Sequence, residues 1–128
     1  MKPTWLARRI SAPGPYLTLC LSEAEFRAAI APLKPPEVPA WISTPRAHAT
    51  THFFVHKDHS TCAVVCLGPG YQDRNAIEVA GLLVHEAVHV WQSYCDDIGE
   101  RRPGDEQEAY GIQAIAQELL AEFARRQS

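Results

Sequence analysis

Long apolar runs are missing from this chain. Its N-terminus, MKPTWLARRISAPGPYLTLCLS, has basic residues but no unbroken apolar stretch of signal-peptide length, and nothing approaches the roughly 20 residues of a membrane span. Neither a membrane partner nor export is expected, so a cytoplasmic location is. Charge of one sign is also scarce: 12 Lys and Arg stand against 15 Asp and Glu, a net −3 that exerts no strong pull on phosphate backbones or anionic lipid. Nucleic acid is therefore not an expected partner. The cysteines are few (Cys20, Cys62, Cys66 and Cys95), and none forms the C-x-x-C pair of a zinc ribbon. A chain with 46% hydrophobic residues needs no disulfide scaffold, so these thiols read as small buried side chains. Repeats, low-complexity tracts and linkers are absent too. The 128 residues fit one domain, spanning residues 1–128.

What is present divides into short elements. The stretch PYLTLCLS reads as a first strand ending at Ser22. Ser22 and Glu25 stand at capping-box spacing, so a helix is predicted from Glu23 to Ala31, stopped by Pro32. Five prolines in the fifteen residues 32–46 forbid a long helix and allow at most a short edge strand at Trp41–Thr44. TTHFFVH and TCAVVCLG, separated by KDHS, read as an antiparallel hairpin over 50–56 and 61–67. Asn75, with Glu78 three residues on, predicts the N-cap of a helix from Ala76 to Tyr94 or Cys95. After DDIGERRPGD a last helix is predicted from Asp105 to Arg125, with Ala109, Ile112, Ala116, Leu119, Leu120 and Phe123 as its apolar stripe.

The first long helix contains LLVHEAVHVWQ, which sets three ionisable groups in an apolar run. Residues four apart differ by about 40° around a helix and about 6 Å along it, so His85 and His89 project from one face and suit a single metal ion. Glu86 lies about 100° away, beside the pair, placed to touch a water rather than the metal. The spacing is H-E-x-x-H. A carboxylate buried without compensation costs several kcal/mol, roughly, and a divalent cation would remove that cost.

A catalytic zinc takes three protein ligands and keeps one position for water. Past the break, Asp105, Glu106 and Glu108 are available. Glu108 shares its helical face with Ile112, Ile115 and Leu119 and is expected to point inward; Glu106 shares its face with Tyr110, Gln113 and Gln117. Asp105 is the second choice, and a capping box between Asp105 and Glu108 is the competing use of these carboxylates.

With His85, Glu86 and His89 followed by Glu108 in EAY, nineteen residues after His89, residues 50–120 resemble the gluzincin branch of zinc metallopeptidases, including its small members and the domain of phage-repressor-cleaving peptidases. The resemblance implies an α+β, zincin-like fold: a small antiparallel sheet packed on an active-site helix and a C-terminal glutamate-bearing helix. It also implies Zn2+ held by His85, His89 and Glu108, Glu86 as general base, and a peptide or protein substrate. An extended substrate would pair with an exposed edge of the 61–67 strand. One departure is Ile112, where some larger members carry an aspartate.

Candidates for oxyanion donor are Tyr71, Tyr94, Tyr110, His52 and His56, and Glu78 is a candidate for meeting a substrate amine. Two rival readings stand beside the peptidase. Cys66 would replace Glu108 in a site similar to that of peptide deformylase. Alternatively, the domain holds zinc without catalysis, as a binding or assembly module.

Overall fold

A computed structural model describes residues 3–6, 16–44, 46–55 and 61–127. Its strands are β1 (Trp5–Leu6), β2 (Tyr16–Cys20), β3 (Ala49–Val55) and β4 (Thr61–Leu67). Its helices are α1 (Glu23–Ile30), α2 (Ala76–Asp97) and α3 (Asp105–Gln127), with 3-10 turns at Ala31–Leu33 and Pro69–Asp73. The class is α+β. Trp41–Thr44 forms bends rather than an edge strand, and the short β1 had no signal in the sequence.

The four strands lie in the order β1-β2-β4-β3. The expected antiparallel sheet is instead mixed: β1 with β2 and β3 with β4 are antiparallel, but β2 and β4 run parallel, with Leu17 opposite Ala63 and Cys20 opposite Cys66. The cause lies in the proline-rich segment. After α1 it carries the chain back, so β3 starts against the direction of β2 and its hairpin partner β4 returns parallel to β2. A second consequence corrects the expected substrate edge. β4 has neighbours on both sides; among the described residues the edge strands are β1 and β3, and β3 is the one beside α2.

The central strand explains its own composition. TCAVVCL is covered on both faces, so it is apolar throughout rather than alternating. On one face Ala63, Val65 and Leu67 join Leu17 and Leu19 of β2 beneath α2 and α3. On the other, Val64 and Cys66 join Cys20, Phe26, Ala29 and Ile30 beneath α1.

Side chains from the flanking loops fix the helices that matter. Ser22 Oγ accepts from Glu25 N at 3.2 Å, while Glu25 Oε1 accepts from Leu21 N at 3.1 Å. Asn75 Oδ1 caps α2 by accepting from Glu78 N at 2.8 Å. α3 is clamped to α1 at its far end, where Arg126 Nη2 donates to Glu25 Oε2 at 2.6 Å with both side chains at least nine-tenths buried. At its near end α3 approaches α2 so closely that Gly111 faces the ring of Trp91. Among the described residues no helix is long and apolar enough to cross a membrane.

Candidate metal and catalytic site

α2 presents two faces. Val79, Leu83, Ala87, Val90, Trp91, Tyr94 and Cys95 are buried against the sheet and α3, whereas Ile77 and Val84, though apolar, are exposed. At the margin between the faces sit His85, Glu86 and His89. The structure gathers these three, with ligand-type atoms all within 4.8 Å of one another. His85 and His89 stand at the surface, and Glu86 is 5% exposed.

The imidazoles converge. His85 Nε2 and His89 Nε2 are 3.2 Å apart. Two nitrogens each bound at about 2.05 Å to a tetrahedral zinc lie about 3.3 Å apart, so the spacing fits a shared ion without rearrangement. His89 Nδ1 lies 3.3 Å from Gln92 Oε1. An amide oxygen only accepts, so with Gln92 in this orientation Nδ1 would carry the proton and the lone pair would fall on Nε2, the atom facing His85. Gln92 thus does for His89 what an outer partner does for a metal-bound imidazole.

Glu86 is held from the sheet. Thr51 Oγ1 on β3 donates to Glu86 Oε1 at 2.7 Å, and the other carboxylate oxygen, Oε2, is 3.9 Å from His85 Nε2. That bond satisfies one of the two oxygens of the buried carboxyl group. Sequence reasoning missed both Thr51 and Gln92. Thr51 had no signal beyond its place in a predicted strand; Gln92, three residues after His89, was readable from helical phase.

These groups line a cleft of about 480 Å³ together with Ser43, Ala49, Thr50, Phe53, Ser93 and Asp96. Its floor is α2 and one wall is the edge strand β3.

Glu108 stands apart from this group. It is exposed on the first turn of α3, and its Oε2 accepts from Trp91 Nε1 at 3.3 Å. Trp91 is two positions past His89, about 200° around α2, so this bond draws the carboxylate away from the imidazoles. The helical phase of Glu108 is the one expected, but α2 buries only the later turns of α3, beginning at Gly111. The carboxylate borders a small cavity of about 100 Å³ whose lining shares Gln92 and Asp96 with the main cleft. Asp105 and Glu106 are likewise exposed.

The remaining candidates fall elsewhere. Cys66 is fully buried on the α1 face of the sheet, opposite to α2, and its hydrogen bond with Cys20 and its burial push the thiol up, away from the thiolate a metal requires. His52 is on that same far face, its ring tilted against Phe26 and stacked on Phe54, with Nε2 2.9 Å from Trp41 O. Tyr94 is buried against Trp91, Tyr71 packs on Phe123, and Tyr110 is exposed on α3; none lines the cleft. Glu78 is engaged at the helix start, pairing with Arg74 Nη1 at 3.3 Å. His56 lies outside the described residues.

A scan against protein-family models finds no match, and neither the curated proteins nor the solved structures contain one.

Proposed function

We propose that this chain is a small zincin-like hydrolase of the gluzincin kind, cleaving peptide bonds with a divalent cation, most suitably Zn2+, held by His85 and His89. The observation that carries this reading is the Nε2 pair 3.2 Å apart, next to a buried carboxylate and open to a cleft of about 480 Å³. Neutral imidazoles suit zinc, and the Gln92 oxygen beside His89 Nδ1 favours the tautomer that keeps the lone pair on Nε2. Glu108 is proposed as the third ligand. The bond its carboxylate accepts from Trp91 Nε1, a long one, would have to be exchanged for the ion.

A bound zinc ion would supply Lewis acidity, bringing the pKa of water near neutrality and polarising a carbonyl. Glu86 then acts as general base: its Oε2 accepts a proton from the attacking water and returns it to the leaving amine as the C–N bond breaks. The outer edge of β3, which pairs with no further strand among the described residues, offers its backbone groups to an extended peptide, so the substrate is read chiefly through its main chain. Phe53 and Val55, both exposed on that strand, add apolar surface.

Glu86→Gln keeps the shape of the side chain and removes the base. The zinc-loaded variant is expected to bind zinc as the wild type does and to lose at least about 100-fold in kcat/KM on a cleaved peptide. Undiminished cleavage by that variant would remove Glu86 as the base, whereas a wild type that cleaves no peptide and a Glu86→Gln variant that keeps the full biological activity would favour the non-catalytic module.

A further inference from the structure

We propose that Thr51 is a positioning residue for the general base, fixing which oxygen of Glu86 faces the reaction. This inference rests on the hydrolase reading and deepens it. Glu86 Oε1 accepts the Thr51 hydroxyl at 2.7 Å, which leaves Oε2, 3.9 Å from His85 Nε2, as the oxygen on the side of the histidines. The donor is as well fixed as the acceptor. Thr51 stands opposite Val65 in the β3/β4 register, and Val65 is fully buried in the central strand. A β-branched side chain has few rotamers, so once the sheet sets the backbone the hydroxyl has little freedom.

The function of that fixity is geometric. A carboxylate on a helix turns about its side-chain bonds, and displacement of a base by about 1 Å costs on the order of 100-fold in rate. Thr51 ties the base to the same strand whose outer edge is proposed to hold the substrate. Base and peptide are thereby placed by one rigid element, not by two elements that drift separately.

Two measurements test this. The first uses metal-free protein and no substrate: urea unfolding of wild type, Thr51→Val, Glu86→Ala and the double variant. Thr51→Val strands a buried carboxylate oxygen, so the midpoint should fall by about 0.5 M with Glu86 present and by much less in the Glu86→Ala background. Equal falls in both backgrounds overturn the proposal. The second uses zinc-loaded protein and fluorescein-labelled casein. Thr51→Val should lower kcat by about 10- to 100-fold with KM within about threefold and equimolar zinc retained, and Thr51→Ser should restore kcat to within about fivefold of wild type. Unchanged kcat in Thr51→Val, loss of zinc from it, or failure of Thr51→Ser to rescue each overturn it. If wild type cleaves no casein or other peptide, the hydrolase reading fails and this inference with it, whereas an absent coupling in urea alone removes only the role of Thr51.

Discussion

Gly111 and Gly81 receive the same substitution with opposite expected outcomes. A Cβ on Gly111 would lie 2.2 Å from Cζ3 of Trp91, 2.5 Å from Cε3 and 2.7 Å from Cη2, where carbon atoms pack best at about 3.5–4.0 Å. The ring has little room to retreat, because it is 3% exposed, packs against Tyr94 with centroids 5.7 Å apart, and is tethered through Nε1 to Glu108. Overpacking of this kind costs about 1–3 kcal/mol. An approach of 2.2 Å belongs in the upper part of that range, about 2–3 kcal/mol, and alanine recovers as much as about 1 kcal/mol over glycine inside a helix, leaving Gly111→Ala a net destabilisation of about 1–2 kcal/mol. For a chain of this length that lowers Tm by about 4–8 °C. Gly81, exposed on α2 with nothing within 4 Å of its added Cβ, gains only the helix term. Gly81→Ala should therefore raise Tm by about 2–4 °C. Thermal melts of the three metal-free proteins, followed by circular dichroism, make the comparison. A Gly111→Ala protein as stable as wild type would refute the close approach of α3 to α2, and with it the placement of Glu108 beside Trp91.

Two further outcomes concern the site and the thiols. Gln92→Ala should leave the fold intact and weaken zinc binding by about 10- to 100-fold in a competition titration, because His89 loses the partner that fixes its tautomer. Cys66→Ala should bind zinc as tightly as wild type while losing about 1 kcal/mol of stability in urea, and native Cys20 and Cys66 should resist alkylation at neutral pH, being fully buried with the Cys66 thiol pushed up. A Cys66→Ala protein that loses its zinc would revive the deformylase-like arrangement.

The local elements were legible because each carried its own punctuation. Ser22 and Asn75 marked helix starts that the structure places at Glu23 and Ala76, and Asp105 opens α3 as expected. The convergence of His85 with Glu86 and His89 followed from helical phase alone, which depends on no other part of the chain. What failed depended on relations between elements. Strand order is a long-range property: nothing in TCAVVCL distinguishes an edge strand from a central one except that it is apolar on both faces, a feature compatible with either assignment of its neighbours. The inward aim of Glu108 was inferred from phase on α3, but how far α3 overlaps α2 is set by the turn at 98–104 and the Gly111 contact, neither of which has a sequence period. Thr51 was illegible for the same reason, since its partner Glu86 is 35 residues away.

Zinc content decides whether His85 and His89 form a metal centre: the metal-free protein is loaded, dialysed exhaustively and measured by mass spectrometry of the metal, for wild type and for His85→Ala, His89→Ala and Glu108→Ala. One zinc ion per wild-type chain is expected, with none retained by either histidine variant and binding weakened by at least about 100-fold in Glu108→Ala. Wild-type protein that retains no zinc, or histidine variants that retain as much as wild type, would contradict it.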